Sequence, residues 1–349
     1  MNKWILSGVV IVFLLIGLGG CGSDSDPDSV TNDKIIVGQY FDGTKYLSCY
    51  WNGTTRTDLA DLPGLNSTAF APGIMSNGVV YTAGRYYDNP KYIPCYWAGT
   101  ARQDLVGDGT HNAFAQAIAV SDGSVYTGGM YYDGTNHLPC YWTGTVLTPL
   151  ESSGSSYSAV NAIKVSGGSV YSAGYYYDGA KYVPCYWNGT TRTDLAGDGT
   201  HSAFVYGLTV SNGTVYSAGS YYTGAYHIPC YWEGTTRHDL PAVTLNSAFA
   251  ADITVSGGVV YTGGYYYDGA KYIPCYWAGT SRTDLPGIGT NNAFVGAITV
   301  SGSTVTTLGQ VYDGAKNIPC YWTGTTRTDL QADTLENFRV TFPILAPPT

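Results

Sequence analysis

The chain has 349 residues, of which 46 are glycine and 33 tyrosine, while only 12% are charged and the net charge is −9. An acidic chain without a lysine or arginine cluster is a poor electrostatic match for nucleic acid, and that partner class is excluded. Tyrosine, threonine and valine favour strands, and glycine, asparagine and aspartate supply turns, so the composition points to an all-β domain.

The first predicted element is a targeting segment. Lys3 supplies a positive start and residues 4–18 are apolar with few polar interruptions. This stretch is too short and wrongly flanked for an ordinary spanning helix, and residues 1–20 read as a secretory signal peptide. It ends Leu18-Gly19-Gly20-Cys21, which resembles the bacterial lipobox: an aliphatic residue, two small ones, then cysteine. The resemblance implies that Cys21 is acylated and becomes the mature N-terminus, with a lipid bilayer as partner. Each buried acyl methylene is worth ~0.8 kcal/mol, so several chains on one cysteine hold a soluble domain at a membrane. By the sorting rule of Gram-negative lipoproteins, Gly22 in place of aspartate implies the outer membrane of a bacterial cell envelope.

Residues 21–34 form an acidic tether that cannot bury a core. Asp24, Asp26 and Asp28 are spaced as in a calcium loop. Ser29 stands where that loop needs glycine, however, and Ile35 where it needs glutamate, so no metal site is expected.

From residue 35 the chain repeats. Cys-Tyr-Trp begins at Cys49, Cys95, Cys140, Cys185, Cys230, Cys275 and Cys320, at intervals of 46 and then 45 residues. In the fourth unit, residues 162–165, 170–177, 181–187 and 191–195 read as strands. Ser166-Gly167-Gly168, Asp178-Gly179 and Asn188-Gly189 turn them into an antiparallel meander. A loop over residues 196–204 leads to the next unit. Four antiparallel strands per 45 residues describe the blade of a β-propeller, and hairpin turns argue against the rival parallel β-helix.

The first unit lacks its first strand, and residues 338–345 fall 45 positions after residues 293–300. The expected fold is a seven-bladed β-propeller of four-stranded antiparallel blades over residues 35–345, closed by pairing its N- and C-terminal strands. Residues 346–349 remain as a tail.

The repeated side chains are weighed first as architecture. The seven cysteines sit at equivalent points of stacked sheets about 10 Å apart, beyond the reach of a disulfide, and read as small buried hydrophobes. Arg56/Asp58, Arg102/Asp104, Arg192/Asp194, Arg237/Asp239, Arg282/Asp284 and Arg327/Asp329 fall on the fourth strand, where charge protects an outer edge. The third unit has Leu147 and Pro149 there, and proline blocks pairing equally well.

The candidate ligand contacts are tyrosine pairs ending the second strands: Tyr86/Tyr87, Tyr131/Tyr132, Tyr176/Tyr177, Tyr221/Tyr222 and Tyr266/Tyr267. They lie beside the turn on the same face as the interblade loops, to which His111 and His201 are added, with Asp108 and Asp198 as polar neighbours. Tyrosine offers a flat apolar face and a hydroxyl, suited to sugars or proteins.

No catalytic constellation, metal set or cofactor loop is found. His137 and His227 replace a tyrosine at the start of the third strand, as drift between duplicated blades would. Lys164 is the one charge in its column and is expected to meet solvent in the central channel. Catalysis needs different groups converging on one bond, whereas near-identical blades suit multivalent binding.

Over nearly its whole mature length the chain resembles the sequence-repetitive bacterial β-propeller lipoproteins, which implies the fold and the anchor but no ligand. In architecture it is similar to propeller lectins with near-identical blades, a likeness that transfers no ligand residue. The function expected is a membrane-anchored, non-catalytic propeller that binds glycan or envelope protein through repeated loop-face sites. The alternatives are a structural scaffold subunit of an envelope complex and an enzyme with a channel site.

Overall fold

The computed structural model describes residues 35–42, 44–60, 66–70, 73–152, 157–242 and 245–330. The segments expected to form the signal peptide, the acylated Cys21, the tether, the closing strand at residues 338–345 and the tail lie outside the described residues. Among the described residues no helix is long and apolar enough to cross a membrane.

Seven antiparallel sheets follow one another along the chain. The first has three described strands, Ile35–Phe41, Tyr46–Asn52 and Thr55–Asp58. In the second blade the innermost strand is split into Ser67–Ala69 and Ile74–Ser76. The fourth blade shows the regular pattern: Ser158–Ser166, Ser169–Tyr177, Tyr182–Asn188 and Thr191–Asp194. Ser166 pairs with Ser169 across Gly167 and Gly168, whose φ values of 55° and 73° are those a type I′ hairpin turn demands.

The blades form a ring. Innermost strand Ala113–Ser121 packs on Ser158–Ser166, that strand on Ala203–Ser211, the next on Ala248–Ser256, and the last on Ala293–Ser301. The ring closes on itself, because Ile35, Ile36 and Val37 share one core cluster with Val80 of blade two and with Ala297 and Leu308 of blade seven.

Two boundaries differ from expectation. The fourth blade's first strand begins at Ser158, not at residue 162, and residues 203–204, read as loop, open the next strand. The reason is a β-bulge. Register shifts between Val160 and Ala162, so Asn161 is an extra residue that breaks the two-residue alternation of side chains. The same shift recurs at Val205/Gly207, Ala250/Asp252 and Val295/Ala297.

The core lies between blades. All seven repeat tryptophans and all seven repeat cysteines are at most 1% exposed. Six of the tryptophans, Trp97 to Trp322, also donate to the loop that leaves the preceding blade. Trp187 Nε1 bonds the carbonyl of Glu151 at 2.8 Å and Trp232 Nε1 that of Ala196 at 2.9 Å. A large side chain is thereby buried with its one polar atom satisfied. Burial pushes the Cys140, Cys185, Cys230, Cys275 and Cys320 thiols well up, which keeps them protonated and unreactive.

Candidate functional site on the loop face

Neighbours in a strand face opposite ways, and this divides the tyrosine pairs. Tyr86, Tyr176, Tyr221 and Tyr266 are buried at 6–8% exposure and serve the architecture. Their hydroxyls donate to Asp104, Asp194, Asp239 and Asp284 at 2.9–3.0 Å. The guanidinium groups of Arg102, Arg192, Arg237 and Arg282 lie 3.8–4.0 Å from the same ring centroids and pair with those aspartates at 2.8–2.9 Å. Burial first, then the aspartate bond, pushes all four phenols up to about 12. The rim Arg/Asp pairs therefore do more than guard an edge, since they also fix the second strand. Tyr131 has no such aspartate, because Pro149 pairs opposite Cys140 where the other blades place it, and its ring is half-buried.

The second members, Tyr87, Tyr132, Tyr177, Tyr222 and Tyr267, are partly exposed on the loop face. Each begins a chain of three aromatic groups that crosses to the next blade. Tyr177 lies 5.2 Å from Tyr182, which lies 5.4 Å from Phe204. Tyr87–Tyr92–Phe114 follows at 5.1 and 5.7 Å, and Tyr267–Tyr272–Phe294 at 5.3 and 5.3 Å.

His137 and His227 occupy the middle place in blades three and five. Tyr132–His137–Tyr157 is spaced at 4.9 and 4.9 Å, and Tyr222–His227–Phe249 at 5.2 and 4.9 Å. The two histidines thus keep the stack. Burial pushes the His227 imidazole down to about 4 and lowers that of His137, so both stack as neutral rings. In blade four Ala159 stands where Phe204 stands in blade five, and Tyr157 supplies the ring from two positions earlier.

The loops close over these stacks. Lys91, Lys181 and Lys271 donate to the carbonyls of Gly109, Gly199 and Gly289 in the loop entering the next blade. Within the loops, Asp108 Oδ1 and Asp198 Oδ1 accept two backbone N–H groups each. His111 bonds Asp108 through Nδ1, and His201 bonds Asp198 at 2.6 Å. Hydrogen bonds from these histidines and the backbone hold both carboxyls down to about 2, against burial. His111 meets Tyr132 edge-on at 5.4 Å and His201 meets Tyr222 at 5.8 Å, so the structure brings each loop histidine to a partly exposed tyrosine.

At the blade end away from the loops, Lys164 is half-buried. Lys164 lines a recess with Ile118, Ile163 and Leu208 that has room for about one water. Burial lowers the Lys164 ammonium, and the Asp252 carboxylate opposes that shift. Asp252 is 1% exposed, accepts from the Ile298 N–H at 3.0 Å, and is pushed up by burial to about 7. It was legible in principle, being the one charge in a column of Ala117, Ala162, Gly207 and Ala297. Among the described residues no group of three or more histidine, cysteine, aspartate or glutamate side chains is placed to hold a metal ion.

No protein-family model and no curated protein matches this chain. Similar solved structures include the β-propeller domain of the Trilobed protease from Pyrococcus furiosus, at 8% identity and TM-score 0.49, covering 83% of this chain and 88% of that one. Acylaminoacyl peptidase from Pyrococcus horikoshii is similar at 11% identity and TM-score 0.48, over 85% of this chain and half of that one. A fucose lectin from Kordia zhangzhouensis matches at 14% identity and TM-score 0.27, over 35% of this chain and 95% of that one. Identities this low transfer no ligand or activity, and the blade count rests on the strand pairing of this chain.

Proposed function

We propose that this chain is a membrane-anchored, non-catalytic propeller that binds glycan through the clefts between neighbouring blades on its loop face. One observation carries the reading: five stacks of three aromatic groups, each opening on a partly exposed tyrosine, recur around a single face. A phenol ring and its hydroxyl match the apolar face and the hydroxyl rim of a pyranose. Repetition turns weak single contacts into avidity, which reaches ~10²–10⁴ over one site when a polymer spans several. The Leu18-Gly19-Gly20-Cys21 motif supports acylation of Cys21 and residence at the outer membrane.

Calorimetric titration with neutral oligosaccharides selected on a glycan array tests the binding. Saturation at several equivalents per chain is expected, with Tyr177→Ala and Tyr267→Ala together lowering the stoichiometry and leaving the melting temperature nearly unchanged. Absence of binding across a broad array would redirect the search to envelope proteins. For the anchor, Cys21→Ser is expected to move the protein from the membrane to the soluble fraction on cell fractionation. Retention of the variant in the membrane fraction counts against acylation.

A further inference from the structure

A repeat makes single departures informative. In the second-strand column that holds Met130, Tyr175 and Tyr265, blade two alone carries a charge, Arg85. Its guanidinium carbon lies 4.5 Å from the ring centroids of Phe70, Tyr92 and Phe114 alike. Phe114 belongs to the innermost strand of blade three, so the side chain leans across the blade junction towards the axis. Tyr157, at the entry to blade four, is close enough to interact electrostatically with it.

This cation is incompletely satisfied. Nε is buried and has no hydrogen-bond acceptor, and among the described residues no carboxylate pairs with the guanidinium. Burial holds the group down at about 10. At the same height in blade one, Gln39 is 7% exposed and its side-chain oxygen likewise lacks a partner. Aromatic faces offset part of the desolvation of a guanidinium, but they accept no N–H hydrogen bond of normal strength. The residue as a whole is half-buried, as are Tyr92 and Tyr157, and it stands near the loop end of its strand, Val79–Asp88.

A planar guanidinium with an unused donor is matched by a carboxylate, which such a group binds through two parallel N–H···O bonds. Aromatic walls at that spot fit the apolar face of a sugar ring. We infer that Arg85 and its aromatic cage form a single axial site for the carboxylate of an acidic sugar residue, at the inner end of the stack Tyr87–Tyr92–Phe114. This rests on the glycan reading above and deepens it, because one residue of an acidic polysaccharide is seated on the axis while its neighbours reach the clefts.

The test titrates the full chain in detergent micelles with a tetrasaccharide of galacturonic acid and, separately, with its neutral galactose counterpart. Arg85→Met is the decisive variant, since blade three already carries Met130 at that point and the fold tolerates it there. One equivalent of the acidic tetrasaccharide is expected to bind wild type, with the dissociation constant raised by roughly tenfold or more in Arg85→Met. Binding of the neutral tetrasaccharide is expected to be the same in both proteins. The inference is overturned if the acidic sugar does not bind, or binds wild type and Arg85→Met equally. Neutral sugar bound without any effect of Arg85→Met on acidic sugar leaves the repeated clefts standing alone. Acidic sugar bound through Arg85 with no neutral binding removes the clefts and keeps the axial site.

Discussion

Trp187→Ala is expected to lower the unfolding free energy by about 3–5 kcal/mol, the range for truncating a fully buried aromatic side chain. Trp187 is wholly buried, and its Nε1 donor is bonded to Glu151 O in the loop that leaves blade three. Alanine would remove the apolar contact and open a cavity between blades three and four. It would also leave that carbonyl without its donor in a partly buried site. The same backbone stretch carries Cys185 and Tyr186, so the variant changes a contact between blades and keeps the strand. Urea unfolding followed by tryptophan fluorescence and circular dichroism reads the shift in midpoint. A loss of less than about 1 kcal/mol, within the range of ordinary surface substitutions, would show that the blades are not held together by these residues.

Gly174→Ala is expected to be as damaging as many core truncations although it adds a single methyl group. An added Cβ would lie 1.9 Å from the Ala159 carbonyl oxygen and 3.2 Å from the Val160 Cα. Both obstacles are backbone atoms of the bulged first strand, so no side-chain rotation relieves the clash. Overpacking of this kind costs about 1–3 kcal/mol, and the rigid bulge places it at the upper end. Gly197→Ala is the matched control, because its new Cβ would meet the Ala203 methyl at 3.4 Å and the His201 carbonyl oxygen at 3.9 Å. The control is expected to shift stability by no more than about 0.5 kcal/mol. Equal melting temperatures for the two variants would mean that the bulge yields and that the glycine column serves some other purpose. In their own blades Gly129, Gly219, Gly264 and Gly309 meet the equivalent carbonyl, that of Phe114, Phe204, Phe249 and Phe294, at 1.9 Å, so the result extends around most of the propeller.

Blade number, strand count and ring architecture were legible because the repeat states each of them several times over. A hairpin signal that is weak once is decisive in six copies. What escaped was what a two-residue alternation cannot carry. Asn161 and its equivalents shift the phase within the first strand, so Ala203 and Phe204 read as loop although both are buried in a strand. Alternation also puts Tyr176 and Tyr177 on opposite faces without saying which face is covered. That decision belongs to Asp194 and Arg192, eighteen and sixteen residues further on, which claim the hydroxyl and the ring of Tyr176. Arg85 and Asp252 escaped for a different reason. Each is one departure in an otherwise apolar or neutral column, and repeated residues attract the eye ahead of exceptions. The loop histidines lie beside Tyr132 and Tyr222, and their bonds to Asp108 and Asp198 depend on a turn geometry that composition does not specify.

Six tryptophan donors each reach a loop only 36 or 37 residues earlier in the chain, so blades two to seven each dock on the one made just before. The junction of Ile35, Ile36 and Val37 with Ala297 and Leu308 is of another kind, joining segments about 260 positions apart. A polypeptide emerging from its N-terminus therefore gathers blades in order and makes this junction last. Until then the apolar strand Ile35–Phe41 waits with one flank uncovered. In a chain bearing seven near-identical blades, the last blade of a neighbouring copy fits that flank as well as its own does. Correct closure then depends on the short distance within one molecule outpacing encounter between two.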